Sequence, residues 1–181
     1  RLVGSEMCIR DRLFGLPISE EYSGMGGDYM ALGVALEELA RVDQSVAITL
    51  EAGVSLGIMP IYRFGSDKQK ETYLPNLVAG KNLAGFGLTE PEAGSDAGGT
   101  KTTAKLDGGE WVINGSKQFI TNSGTDITSL VTATAVTGQR ENGKKEISAI
   151  IVPSGTPGFT AEPSYNKVGW NASDTHPLTF D

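Results

Sequence analysis

Residues 85–102, GFGLTEPEAGSDAGGTKT, combine the residue types that hold a polar ligand through the main chain. A glycine such as Gly94 lets the backbone approach a ligand without a Cβ in the way. Thr89 and Ser95 carry hydroxyls, which both donate and accept hydrogen bonds. Pro91 fixes a turn between them. This composition suits a planar heterocycle with polar edge atoms, or its phosphate tail, and an ordinary interdomain loop with turn residues stays the alternative.

Two common phosphate-binding motifs do not describe this stretch. Gly85-x-Gly87 is not followed by a third glycine at the dinucleotide-binding spacing, and no parallel βαβ pattern surrounds it. The pattern G-x-x-x-x-G-K-[ST] does not occur in the sequence. The stretch is therefore neither a dinucleotide-binding turn nor a P-loop.

A second candidate site lies at residues 119–122, Phe-Ile-Thr-Asn. Because side chains alternate along a strand, Phe119 and Thr121 are expected on the same face. The ring of Phe119 could pack on a flat ligand while the hydroxyl of Thr121 binds its polar edge. The alternative is that Phe119 fills the core of a barrel. If the ligand interpretation holds, Thr89, Ser95 and Thr121 should face one shared hollow.

Few side chains are available for disulfide or metal chemistry. The chain has one cysteine, Cys8, and one histidine, His176, so an intramolecular disulfide is impossible and a protein-built metal site is not expected. His176 is predicted to be a surface turn residue. A single cysteine is compatible with a reducing cytoplasm, and we expect a cytoplasmic, bacterial protein.

Composition excludes several classes of protein. The 181 residues are 39% hydrophobic and 20% charged, which is typical of a globular chain with a real core. The net charge of −7 argues against nucleic acid as a main partner. No run of about 18 apolar residues occurs, so no membrane-spanning segment is predicted.

Helical periodicity dominates the first half of the chain. Asp28 opens a first helix in which apolar residues recur at three- and four-residue spacing. Asp43 is the predicted N-cap of a second helix, which runs towards Gly65 as a C-terminal glycine. Pro60 is expected to kink this helix or to split it.

A third helix is predicted from a capping box. Ser66 and Gln69 have the spacing of that motif, and Pro75 and Gly80 are expected to end the helix. Three helices with short connections should pack against one another and against further helices outside this chain.

The second helix is rich in small residues. Small residues permit close packing between helices, which is the interpretation we favour. Alternatively, they leave a shallow groove on the helix in which an elongated apolar ligand could lie. These residues are Ala47, Ala52, Gly53, Ser55 and Gly57.

Strand periodicity replaces helical periodicity after residue 99. Strands are predicted at residues 100–106, 110–113, 116–121, 129–136 and 146–152, with turns at residues 107–109, 114–115 and 157–158. Asn114-Gly115 carries the strongest short hairpin signal. All-antiparallel pairing would give a small barrel or sandwich. We therefore predict an α+β protein, with a partial helical domain at residues 13–84 and a truncated β-domain at residues 85–181.

The two candidate sites carry a resemblance to a known family. Residues 85–96, GFGLTEPEAGSD, resemble the first signature of the acyl-CoA dehydrogenases, and residues 110–122, EWVINGSKQFITN, resemble the strand pair that follows it in that family. Together these two long motifs are highly specific. The similarity continues upstream and downstream and covers nearly everything from residue 13 onward. The further matching segments are residues 15–28, 37–40, 155–159 and 168–175.

The resemblance implies an FAD enzyme that oxidises an acyl-CoA to the trans-2-enoyl-CoA. It assigns Ser95 to the acyl-CoA thioester arm as well as to the cofactor, and Thr121 to the flavin N5 region. Many members have Trp where Phe119 stands, which should tune flavin binding without abolishing it. The implied cofactor-binding residues are Phe86, Gly87, Leu88, Thr89, Glu90, Pro91, Gly94, Ser95, Phe119, Ile120 and Thr121.

No catalytic residue is assigned within this chain. The family's base is a Glu in a C-terminal helical domain, which this sequence does not contain, so neither Glu90 nor Glu92 is given that role. Glu90 is interpreted as structural. We expect the sequence to be an inactive fragment whose residues 1–12 are a non-native linker. The resemblance implies electron-transfer flavoprotein as the acceptor, a homodimer or homotetramer, and a place in fatty-acid β-oxidation or amino-acid catabolism.

Two other functions remain open on the sequence alone. An acyl-CoA oxidase or flavin monooxygenase of the same fold would pass electrons to oxygen. A non-catalytic flavin-binding relative that protects DNA would share the fold, although the negative charge of this chain speaks against it.

Overall fold

The helices of the first half begin at the predicted caps. The structure is a computed structural model that describes residues 12–181, so the predicted linker, apart from Arg12, lies outside the described residues. Helix α1 spans Tyr29–Val42, and the carboxylate of Asp28 accepts the N–H of Ala31 at 2.8 Å. Helix α2 spans Gln44–Ala52 and is capped by Asp43. Short 3₁₀ turns occur at Leu13–Gly15, Glu20–Tyr22 and Ala97–Gly99.

The second predicted helix changes its winding but is not interrupted. After α2 the chain forms a π-helix at Gly53–Ile58 and then α3 at Met59–Phe64. Pro60 lies in the first turn of α3, where a residue without an N–H is tolerated. Gly65 ends the helix in an extended conformation rather than a left-handed one, with φ −68° and ψ 149°.

Helix α4 spans Asp67–Val78 and begins with the predicted capping box of Ser66 and Gln69. Pro75 lies inside this helix, so the prediction that it ends the helix is wrong. Gly80, with φ +68°, is the residue that turns the chain away.

The small residues of the long helix serve close packing. A Cβ on Gly53 would lie 2.5 Å from the ring of Phe14, and a Cβ on Gly57 would lie 2.8 Å from the carbonyl oxygen of Ala84. Ala47 and Ala52 are buried. The packing interpretation therefore accounts for these residues, and only Ser55 among them lines a hollow described below.

Seven strands form one curled sheet after the helices. In chain order their bounds are β1 Leu83–Gly87, β2 Thr103–Asp107, β3 Glu110–Thr121, β4 Thr128–Gln139, β5 Lys145–Pro153, β6 Phe159–Ala161 and β7 Thr175–Phe180. The order is β1-β4-β2-β3-β7-β6, with β5 paired to β4. The predicted order of helices followed by a β-domain is confirmed.

The pairing is mixed, and the all-antiparallel prediction is wrong. β1 and β2 both pair with β4 in parallel, while the other pairs are antiparallel. The whole β2–β3 hairpin lies in sequence between β1 and β4, and so long a connection can return the chain in the same direction. Local turn signals do not report such a connection.

One predicted hairpin is confirmed and one is wrong. β2 and β3 are joined through Gly108 and Gly109, both at positive φ, as predicted for residues 107–109. Asn114 and Gly115 lie inside β3 instead of forming a turn. Asn114 pairs with β2, whereas Gly115 pairs with Phe180 of β7. Gly115, at φ +148°, is therefore the point where β3 exchanges one partner strand for another.

Two apolar clusters lie on opposite faces of β4. Leu130 packs with the helices, including Leu50 and Ile58, and joins them to β1. Val131 and Ala133 pack with Ile120 inside the curl of the sheet. The alternation of side chains along β4 thus places the sheet between two cores.

The long helix Gln44–Phe64 is apolar enough to satisfy a membrane-span criterion. It has 21 residues, with mean hydropathy 1.4 in its best window, and 56% of that window is buried in the fold. The core helix of a soluble protein satisfies the same criterion. The absence of a membrane-spanning segment accordingly stays a prediction.

Candidate functional site

A buried ion pair lies beneath the glycine-rich stretch. Lys117 points inward from β3, and its Nζ donates to Oε1 of Glu90 at 2.7 Å; the two side chains are 0% and 5% exposed. The same ammonium donates to the hydroxyl of Thr134 at 3.1 Å and to the carbonyl of Leu88 at 3.4 Å. All three ammonium protons therefore have partners.

Glu90 closes the loop that follows it. Its Oε2 accepts the N–H of Lys101 at 2.7 Å, and its Oε1 accepts the N–H of Thr102 at 3.1 Å. Residues 91–100 thus form a loop whose two ends meet at one carboxylate. Gly94 and Ser95 are exposed in this loop, and a Cβ on Gly94 would meet no atom within 4 Å.

The hydrogen bonds keep Glu90 ionised despite its burial. Burial by itself raises the pKa of Glu90, but hydrogen bonds from Lys117, Lys101 and Thr102 outweigh it and hold the pKa below 4.5. Burial lowers the pKa of Lys117 below 10.5, and Glu90 opposes this effect. The structural interpretation of the Glu90 side chain agrees with these contacts.

Phe119 is exposed at a bulge in β3. The register between β3 and β7 shifts between Lys117 and Ile120, and Phe119 has φ +61°. This left-handed conformation is uncommon for a bulky residue and often occurs at functional sites. It turns Phe119 outward, 59% exposed, while Lys117 and Ile120 both point inward.

Thr121 follows Phe119 by two residues in β3, and that the two side chains share a face stays a prediction. Ile120 between them is buried in the second apolar cluster, while Thr121 is half-buried. Among the described residues, the Thr121 hydroxyl has no hydrogen-bond partner. An exposed ring and an available hydroxyl therefore stand two residues apart on one strand.

Thr89 is fastened to the same part of β3. Its carbonyl accepts the N–H of Gln118 at 2.9 Å, and the side chain of Gln118 donates to the carbonyl of Glu90 at 3.3 Å. The structure thus brings residues 89–90 beside residues 118–121, from a sequence separation of about 30. Gly87 lies over Lys117, Ile120 is buried, and Leu88 and Pro91 are exposed beside this junction.

Thr89, Ser95 and Thr121 line none of the four hollows described for residues 12–181. One hollow, of about 610 Å³, lies between the long helix and the helix-facing side of β1, β4 and β5. Phe86 and Thr132 line it, and the Thr132 hydroxyl is buried without a partner in the described part of the chain. Phe86 therefore lines a hollow that Thr89, Ser95 and Thr121 do not line, and a shared hollow for those three residues stays a prediction.

His176 is not a surface turn residue, and that prediction is wrong. It lies in β7 and is 8% exposed, with its ring nitrogens 2.5 Å from the carbonyl oxygen of Glu162 and 2.6 Å from Oδ1 of Asp174. The other carboxylate oxygen of Asp174 accepts the N–H of Gly124 at 3.1 Å. His176 consequently braces the turn that follows Thr121.

Asn122 links this turn to the helices. It has φ +59° and is fully buried, and its side-chain amide donates to the carbonyl of Thr49 at 3.1 Å. Thr49 lies just before the π-helix, where the regular helical pairing of carbonyls changes. The position of Thr121 is therefore tied to the long helix through its neighbour.

Sequence reasoning missed two residues of the site. Tyr165 packs against Phe119 with ring centroids 5.1 Å apart, and nothing in the local sequence indicates this contact. Lys117 had one available signal, because alternation in the predicted strand 116–121 places it on the same face as Phe119, for which the core was one of two interpretations. Its partner Glu90 lies 27 residues away, so only the fold identifies the pair.

The exposed surface fits a flat, weakly charged ring better than a metal ion. The described residues contain no group of three or more His, Cys, Asp or Glu side chains placed to hold a metal. The groups beside Phe119 are instead an aromatic pair with Tyr165 and the unpartnered hydroxyl of Thr121. Such groups stack on a heterocycle and hydrogen-bond to its edge.

Two family models cover almost the whole chain. The model described as "Acyl-CoA dehydrogenase, N-terminal domain" matches residues 6–81, and the model described as "Acyl-CoA dehydrogenase, middle domain" matches residues 85–181.

Relatives and solved structures agree with the family models. The chain is 49% identical over 169 residues to the probable acyl-CoA dehydrogenase YngJ of Bacillus subtilis, covering 93% of this chain and 44% of that protein. It superposes on butyryl-CoA dehydrogenase from Megasphaera elsdenii with TM-score 0.89 and 42% identity, covering 98% of this chain and 46% of that one. It superposes on an acyl-CoA dehydrogenase from Bacillus anthracis complexed with FAD with TM-score 0.87 and 36% identity, covering 98% and 29%. The chain thus spans less than half the length of these relatives, and across that span its motifs, its fold and its sequence identity show that it belongs to the acyl-CoA dehydrogenase family.

Proposed function

We propose that the full-length protein carrying this sequence is an FAD-dependent dehydrogenase that converts an acyl-CoA to the trans-2-enoyl-CoA. The observation that carries the proposal is the strained, exposed Phe119 with the available Thr121 hydroxyl, both fastened beside Thr89. Solved relatives that match 98% of this chain include an FAD complex and a butyryl-CoA dehydrogenase.

FAD would be held at the junction of the β1 loop and β3. Phe119 and Tyr165 would pack against the isoalloxazine, while Thr121 and Thr89 would hydrogen-bond to its polar edge. The exposed Leu88, Pro91 and Gly94 would contribute main-chain and surface contacts, as would the backbone of Glu90. Ile120 would support the site from the core, and Phe86 and Gly87 would do so from β1. FAD, when bound, supplies the acceptor for the hydride that leaves the acyl β-carbon.

The residues of this chain would align the substrate and exclude water, and would not remove its proton. Ser95 would bind the thioester arm of the acyl-CoA from its exposed loop. The carboxylate of Glu90 has its lone pairs directed at Lys117, Lys101 and Thr102, so it does not face a substrate. The base would come from a Glu in the part of the protein beyond this sequence, and the chain alone would therefore be inactive.

The partners follow from the same proposal. Electron-transfer flavoprotein would reoxidise the flavin, and the protein would act as a cytoplasmic homodimer or homotetramer in fatty-acid β-oxidation or amino-acid catabolism. The boundary between the helical and middle domains would lie near residue 84.

The test is anaerobic titration of the purified full-length protein with acyl-CoA thioesters of increasing chain length, starting with butyryl-CoA. We expect a yellow protein whose visible flavin absorbance is bleached by at least one thioester. No spectral change with any chain length would refute the dehydrogenase proposal. Rapid reoxidation of the bleached protein by air would instead favour an acyl-CoA oxidase.

A further inference from the structure

The ion pair of Lys117 and Glu90 affects the positions of the main-chain groups around it more than the folding stability of the protein. Both side chains are almost completely buried. Removing two charges from water offsets most of their attraction, so a buried ion pair is weak evidence for added stability. What distinguishes this pair is the number of main-chain groups that it holds.

The contacts of the pair extend to three segments of the chain: residues 87–90, residues 101–102 and strand β4. Lys117 holds the carbonyl of Leu88 from inside the sheet. Glu90 holds the N–H groups of Lys101 and Thr102 at the far end of loop 91–100. Thr134 of β4 accepts from Lys117 and donates to the carbonyl of Gly87 at 3.3 Å. Residues 87–90 and the base of the Ser95 loop are therefore attached to one point.

The same strand carries Lys117 and the exposed ring of Phe119. Lys117 points into the sheet, and the bulge that follows turns Phe119 outward two residues later. A shift of Lys117 relative to Glu90 would therefore move residues 88–90 relative to Phe119. The distance between the two sides of the candidate flavin surface depends on this buried contact.

We propose that Lys117 is a positioning residue for the flavin, which acts through Glu90 and the Leu88 carbonyl to hold Thr89 and the base of loop 91–100 against β3. The inference rests on the proposed function. Lys117 does not touch the ligand, because its side chain is 0% exposed and its three protons are directed at Glu90, Thr134 and Leu88.

The test compares variants of the full-length protein for FAD affinity, for the absorption spectrum of bound flavin and for thermal stability without FAD. Lys117→Met removes the tether and leaves a buried carboxylate uncompensated, so it should lower both stability and affinity. The double variant Lys117→Met/Glu90→Leu removes both charges and should regain stability. Its FAD affinity should remain at least about tenfold below wild type, since the hydrogen bonds that hold Leu88 and residues 101–102 stay lost.

A matched control lies on the same loop. Glu92 is exposed and pairs with Lys101 at the surface, so Glu92→Gln should leave FAD affinity and the flavin spectrum unchanged. Thr134→Val is a milder, nearly isosteric change that removes the hydroxyl that donates to Gly87 and accepts from Lys117. It should keep the fold, shift the flavin absorption maximum and weaken FAD binding by about tenfold.

The outcomes separate this inference from the proposed function. Wild-type FAD affinity and an unshifted flavin spectrum in the double variant, or in Thr134→Val, would overturn the positioning role. A wild-type protein that binds no FAD would refute the proposed function instead. If FAD affinity and stability return together in the double variant, Lys117 is structural and the inference is wrong.

Discussion

The contact between the long helix and β1 can be tested with one methyl group. Gly57 lies in the π-helix against Ala84, the second residue of β1. A Cβ at residue 57 would lie 2.8 Å from the carbonyl oxygen and 3.2 Å from the Cβ of Ala84, where ordinary contacts begin at 3.4 Å. The helix and the strand must therefore separate by about half an ångström if Gly57→Ala is made.

Two terms of opposite sign set the magnitude. Replacing Gly by Ala in a helix gains about 1 kcal/mol of stability through propensity. Overpacking a buried contact costs about 1 to 3 kcal/mol. Gly33 supplies the control, because it lies in α1 and a Cβ there would meet nothing within 4 Å. Gly33→Ala should therefore stabilise the chain, and Gly57→Ala should be less stable than Gly33→Ala by about 1 to 3 kcal/mol.

Urea unfolding followed by far-UV circular dichroism measures this difference. Both variants should keep the wild-type m-value, so that midpoint shifts report stability alone. If Gly57→Ala is as stabilising as Gly33→Ala, the helix does not touch β1 as described. The packing of the long helix against β1, which leads into the candidate site, would then be described wrongly.

Three further predictions address the site itself. Thr121→Val in the full-length protein should weaken FAD binding by about 1 to 3 kcal/mol, measured by equilibrium dialysis, because a polar edge atom of the ligand loses its partner. Thr160→Val, at an exposed position, serves as the control. If Thr121→Val binds FAD as tightly as wild type, Thr121 is not part of the site. Asn122→Ala should destabilise the chain by about 1 kcal/mol more than Asn122→Gly in thermal unfolding. Both variants lose the hydrogen bond to Thr49, but only Ala is strained at φ +59°. Equal losses of stability in the two variants would contradict the left-handed conformation of residue 122. The pKa of Glu90 lies below 4.5 in the fold, so the unfolded chain takes up the proton first as pH falls. The stability advantage of wild type over Glu90→Gln should be constant from pH 7 down to about 4.5 and shrink below it; an advantage that stays constant to pH 3 would show that Glu90 is not held as an ion.

The sequence determined those features that depend on residues close together in the chain. Asp28, Asp43 and Ser66 cap helices where predicted, because a cap is a contact across two or three residues. Gly108 and Gly109 form their hairpin for the same reason. The signature around Thr89 identified the family before any fold was considered.

Only the tertiary structure decided how distant segments meet. Asn114-Gly115 has the strongest local turn signal, yet β7 supplies pairing partners that keep β3 extended through it. Lys117 is buried because Glu90, 27 residues away, compensates its charge. His176 is buried because Glu162 and Asp174 converge on its ring. In each case a partner from another segment supplies the strand pairing or the hydrogen bonds, and these contacts outweigh the local preference.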